Sequence, residues 1–172
     1  MTHIQQFKNS LIHQIGDGEN IAFDFFITFS RMEFALKHTN YAKADVRRNA
    51  IADWDKFANE NDEEFQIRLA NKEDKTLIIA TDYLFNTPPK RLKFVENHLS
   101  WEKRDVIKNK TLKELLLIIR GIRNNLFHGS KRLAIAEQSR NRNLLNYGLI
   151  ILNECLKINQ DLRQKFLEEI GQ

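Results

Sequence analysis

One cysteine, two prolines and six glycines are all that this chain of 172 residues has of the residues that cross-link or interrupt a backbone. A lone Cys155 excludes an intrachain disulfide, so a reducing cytoplasm is the expected compartment. Scarce Gly and Pro leave few turns and long uninterrupted elements, which favours helices. No run approaches the ~18 apolar residues of a membrane span, and no membrane partner is expected. The opening MTHIQQFKNS lacks the basic and apolar regions of a secretion signal. There is no C-x-x-C pair, no H-E-x-x-H, no glycine-rich phosphate loop and no nucleophile elbow. Zinc chemistry, nucleotide hydrolysis and serine-type acyl transfer are therefore not expected, and neither a metal nor a cofactor is implied.

What is present suits a folded domain. Apolar residues make up 42% and charged residues 29%, too apolar for a disordered chain. With no repeat, low-complexity tract or Ser/Gly linker, residues 1–172 read as one domain. The net charge of +4 hides an asymmetry. Residues 86–132 carry 12 Lys and Arg against 4 Asp and Glu, and the rest of the chain is net acidic. Such an excess is the footprint a polyanion requires, because Lys and Arg gain by displacing phosphate counterions.

Apolar spacing is helical nearly throughout. Ile4, Phe7, Leu11, Ile12 and Ile15 mark a first helix, broken by Gly16-Asp17-Gly18. Ile21, Phe25, Phe29, Met32 and Leu36 form the stripe of a core helix over 20–38. Val46, Ala50, Trp54 and Phe57 predict a helix over 44–59, with a shorter one at Phe65 and Leu69. Residues 73–110, with Pro88-Pro89, read as short helices and loops. Thr111 with Glu114 forms a capping-box pattern ahead of LKELLLIIRGIRNNLFHG, which Gly129 ends. The last helix, from about Ala136 to Leu156 or on to Ile170, is apolar on two sides and should lie centrally; Cys155 on it reads as a core thiol. The expected fold is all-α: an up-and-down bundle of four to five main helices, with short extra helices in the basic middle segment.

The helix after Thr111 carries the candidate site. Leu112, Leu115, Leu116, Ile119, Ile122 and Leu126 share one arc, and Arg123 falls on its edge. A guanidinium there cannot shed its charge, so it needs a carboxylate, carbonyls or a bound phosphate; Glu33 is the candidate carboxylate if the two helices pack. Leu117, Gly121, Asn124 and His128 form a second stripe. Gly121 costs roughly 1 kcal/mol against Ala inside a helix, which predicts close approach of another helix or a partner subunit. Self-association through this face is expected. A histidine, with reference pKa near 6.5, takes and returns a proton near neutral pH, while Arg123 steadies a phosphate. The set suits attack of a ribose 2′-hydroxyl on the adjacent phosphodiester, for which no metal is compulsory. Lys131 and Arg132 are candidates to grip the RNA backbone, and Trp101 to stack on a base, whereas Trp54 reads as core.

Arg123-Asn124-Asn125-Leu126-Phe127-His128-Gly129 resembles the R-x4-6-H signature of the HEPN superfamily, and Phe29-Ser30-Arg31-Met32-Glu33-Phe34-Ala35-Leu36-Lys37 resembles the first core helix of its bacterial members. Arg31 with His38 and Arg91 with His98 also fit the bare spacing, but they lack the Asn after the Arg and the Gly after the His. The resemblance implies a homodimeric helical bundle with the Arg-His pairs of two protomers facing one cleft. It also implies metal-independent endoribonuclease activity leaving 2′,3′-cyclic phosphate ends, in toxin, abortive-infection or RNA-processing settings. Arg123 and His128 would be the catalytic pair and Asn124 the polar neighbour, with an antitoxin or regulatory protein among the partners. Members paired with a nucleotidyltransferase antitoxin often have Tyr two places after the His, where this chain has Ser130. Some members keep the fold without cleaving RNA, so the alternative is a non-catalytic module that binds RNA, a nucleotide or a protein.

Overall fold

Capping side chains set most of the helix starts in the computed structural model, which describes residues 6, 19–104, 107, 109–127 and 135–168. Helix α1 spans Glu19–Lys37 and leads into a short hairpin of β1 (Ala42–Ala44) and β2 (Ala50–Ala52). Asp53 then caps α2 (Trp54–Ala70), accepting from the Lys56 amide, and Asp74 caps α3 (Lys75–Asn86), accepting from Thr76 and Leu77. A second hairpin, β3 (Arg91–Val95) with β4 (His98–Glu102), precedes α4 (Leu112–Phe127), α5 (Ile135–Ile158) and α6 (Gln160–Leu167). The protein is mostly helical, and α5 is its centre, touching α1, α2, α3, α4 and α6. Among the described residues, no helix is long and apolar enough to cross a membrane.

The two hairpins correct the expected all-α bundle. Residues 44–59 do not form one helix: the chain turns at 45–49 and α2 starts only at Trp54, absorbing the pattern at Phe65 and Leu69. Val46, expected on an apolar helix face, is fully exposed at the turn. The turn is held by Asp45, which accepts from the amides of Arg47 and Asn49 and from the Asn49 side chain. The Asn49 side-chain bond, then its amide, holds the Asp45 carboxyl below its ordinary value. Helical spacing of Val46, Ala50 and Trp54 was coincidental, and the local polar chemistry won. The stretch 73–110, expected to hold short helices and loops, contains α3 and an antiparallel pair in which Leu92 faces Trp101 and Phe94 faces Leu99. Glu96 and Asn97, both at positive φ, make its two-residue turn. The expected last helix breaks at Asn159, whose side chain caps α6 by accepting from the Leu162 amide.

Phe25, Phe29, Met32 and Leu36 of α1 share one core with Leu144, Leu145, Ile151, Leu152 and Cys155 of α5 and with the buried Trp54 and Phe57 of α2. Gly148 lets α1 approach, since a Cβ there would lie 2.8 Å from Phe25 Cε2. Phe25 is fully buried and stacks on Phe29, so it has little room to yield. Gly148→Ala is therefore expected to lower the thermal midpoint, by about 1–2 kcal/mol of stability after the helix-propensity gain. A raised midpoint would mean that this contact does not limit the packing. Of the first helix expected over 4–15 only Gln6, which is helical, is among the described residues, and the stop at Gly129 lies outside them.

Candidate functional site

Helix α4 is anchored at its start and presents its functional side chains at its end. Thr111 Oγ1 accepts from the Glu114 amide at 3.3 Å, as the capping pattern predicts, and Asp62 of α2 accepts from the Leu112 amide at 2.7 Å. Leu112, Leu115, Leu116, Ile118, Ile119 and Ile122 are buried, which fixes how the helix is rotated. Arg123 emerges half-buried at the edge of that stripe. Its guanidinium carbon lies 5.9 Å from the centroid of the Phe29 ring, itself stacked between Phe25 and Trp54. Nη1 of Arg123 donates to Asn124 Oδ1 at 3.3 Å. An aromatic floor and a neighbouring amide thus orient the guanidinium near the helix end.

Glu33 is one turn beyond Phe29 on α1 and half-buried. Helix α1 is laid chiefly on α5 and α6. His128, Lys131 and Arg132 lie outside the described residues. Trp54 is core, as expected, and Cys155 is buried, with burial and then the Glu154 charge pushing its thiol well up. The two other Arg-His spacings lead elsewhere. Arg31 donates to the carbonyls of Phe166 and Glu168 at the end of α6, and His38 stacks on Phe34. Arg91 is opposite Glu102 and His98 opposite Val95, about 13 Å apart along the strand, too far to act on one atom.

Between α4 and the chain from Lys90 to Lys93 lies an open cleft of about 490 Å³. Five cations line it, Lys90, Arg91, Lys93, Arg104 and Arg120, together with Asn124 and Asn125. Asn125 Nδ2 ties the walls together by donating to the Lys90 carbonyl at 2.7 Å. Arg104 lies across α4, Nη2 donating to the Leu117 carbonyl at 3.0 Å. Gly121 makes this path available: a Cβ there would meet Arg104 Nη2 at 3.2 Å and Pro89 Cγ at 3.4 Å. The close approach that Gly121 called for is thus made within the chain, by an arginine and a proline, and its helix face lines this cleft. Nε and Nη1 of Arg104 are buried, and among the described residues neither has a hydrogen-bond partner. Burial, and then the Arg91 charge, bring the Arg104 pKa down, with Glu114 opposing.

No family model, curated protein or solved structure matches this chain.

The chemistry of the site therefore rests on its own geometry. A cleft lined by five cations and two side-chain amides suits an anion with several oxygen acceptors. Among the described residues, no group of three His, Cys, Asp or Glu is placed to hold a metal ion. Sequence reasoning registered the basic excess over 86–132 but singled out neither Arg104 nor Arg120. Helical spacing relates Arg120 to Asn124 four residues on, whereas only the hairpin brings Lys90, Arg91, Lys93 and Arg104 to the same helix face. Trp101 stands half-buried on β4, paired across the strand with the cleft-lining Leu92.

Proposed function

We propose that this chain is an HEPN-like, metal-independent endoribonuclease that cleaves single-stranded RNA and leaves 2′,3′-cyclic phosphate ends. The observation that carries this reading is the oriented pair at the end of α4: a half-buried Arg123 set over Phe29 and hydrogen-bonded to Asn124, one turn from His128 in sequence. In this reading Arg123 faces the non-bridging oxygens of the reacting phosphate, where negative charge grows as the fifth oxygen approaches. His128 takes the proton of the 2′-hydroxyl as that oxygen attacks phosphorus, then returns it to the departing 5′-oxygen. Two protomers would bring their Arg-His pairs to one cleft, in a cytoplasmic defence, toxin or RNA-processing role under an antitoxin or regulatory protein.

The basic cleft favours a second reading, because its charge needs no chemistry to be useful: a non-catalytic module that holds RNA. One experiment separates them. Purified protein is incubated with labelled mixed-sequence single-stranded RNA in EDTA, and the product ends are read. Cleavage leaving 2′,3′-cyclic phosphates is the expected result; RNA that binds but stays intact at high protein concentration would leave the module as the function.

A further inference from the structure

The β3–β4 hairpin has an apolar face whose outer half is open to solvent. Antiparallel register places Leu92 opposite Trp101 and Phe94 opposite Leu99, and with side chains alternating along each strand all four share one face. The inner pair, Leu92 and Trp101, is half-buried, and Leu92 lines the basic cleft. The outer pair is open to solvent, with Phe94 69% and Leu99 63% exposed. An aromatic platform thus runs outward from a cleft lined by cations and, among the described residues, by no carboxylate. This combination matches the way single strands are held, with phosphates in a positive groove and bases stacked on aromatic faces.

We infer that the hairpin and the cleft at its base form a track for single-stranded RNA. In it Arg104 and Arg120 hold a phosphate next to the reacting one, and Phe94 stacks a base further along the strand. The inference rests on the reading of Arg123 and His128 as the cleavage site and extends it to a subsite. Three observations fit a strand better than a small anion. Arg120 precedes Asn124 by one helical turn, a rise of about 6 Å, so the two side chains can reach adjacent phosphates of one strand. Phe94 lies beyond Leu92 by about 7 Å, the next step outward from the cleft. A mononucleotide in the cleft would leave Phe94 and Leu99 uncovered, whereas a strand leaving the cleft along β3 covers them.

The test uses the full chain carrying His128→Ala, so that RNA is not consumed, and measures binding of a labelled single-stranded RNA by anisotropy in EDTA across a salt series. Arg104→Gln, Arg120→Gln and Phe94→Ala are each expected to weaken binding about tenfold. The two arginine variants should also lower the slope of log K against log salt by about 0.7 each, and Phe94→Ala should leave the slope unchanged. Phe94 is exposed and Arg120 half-buried, so both variants remain informative if circular dichroism shows Arg104→Gln to be unfolded. Parental affinity in Arg120→Gln and Phe94→Ala would overturn the track. So would AMP or inorganic phosphate displacing the RNA at concentrations near the RNA's own Kd, which would make the cleft a small-anion pocket. The cleavage reading fails separately. If the variants weaken binding but the wild type never cuts RNA, the track stands without the nuclease. If the wild type cuts and the variants bind and cut like it, the nuclease stands without the track.

Discussion

Replacing His128 with alanine is expected to slow RNA cleavage in EDTA by about 10²–10⁴-fold, or roughly 3–5 kcal/mol of barrier, with no loss of RNA affinity. The loss should fall on kcat rather than KM, because the five cations of the cleft lie on other residues and bind the ground state as before. The proton transfer at the 2′-oxygen, by contrast, falls to His128 in this reading, because the side-chain amide of Asn124 is not a general base. Single-turnover rates of wild type and variant, with thermal midpoints measured alongside, make the comparison. An unchanged rate in a folded variant removes His128 from the mechanism and returns the site to a binding role.

Asn159→Ala should cost about 2–4 kcal/mol, which for a domain of this size lowers the thermal midpoint by about 5–15 °C. Asn159 Oδ1 caps α6, and its Nδ2 donates to Tyr41 Oη at 3.1 Å and to Asn61 Oδ1 at 3.0 Å. Asn61, buried on α2, donates in turn to Tyr41 Oη and to the Phe57 carbonyl. One side chain therefore joins the α5–α6 junction, α2 and the entrance to the first hairpin. Alanine removes the cap and strands the Asn61 oxygen in a buried site. Asn159→Ser keeps a capping oxygen and should recover about 1 kcal/mol, leaving the rest to the network. A drop below about 1 kcal/mol for alanine would show that Tyr41 and Asn61 find other partners.

Helices with a continuous apolar stripe were legible in the sequence: α1, α4 and α5 stand close to where spacing placed them, with the Thr111 cap and the buried Cys155. Both hairpins were missed, each because a local rule outweighed periodicity. At 45–49 the Asp45 carboxylate collects the turn's amides, which no hydrophobic count registers. At 91–102 the signal was present, in the alternation of Leu92 and Phe94, then Leu99 and Trp101, around an Asn that tolerates positive φ. Of the site, Arg123 and Asn124 could be read from one helix. The cleft could not, because its cations come from a strand, a loop and a helix that only tertiary folding brings together.

Cys155 carries one more consequence. It is the only thiol of the chain, it lies buried near the end of the helix that touches every other, and burial holds it in the neutral form. An alkylating reagent needs the thiolate and a path to it, and neither exists until the core parts. The rate at which the thiol is labelled is thus a clock for opening of the core around α5, read from a native side chain.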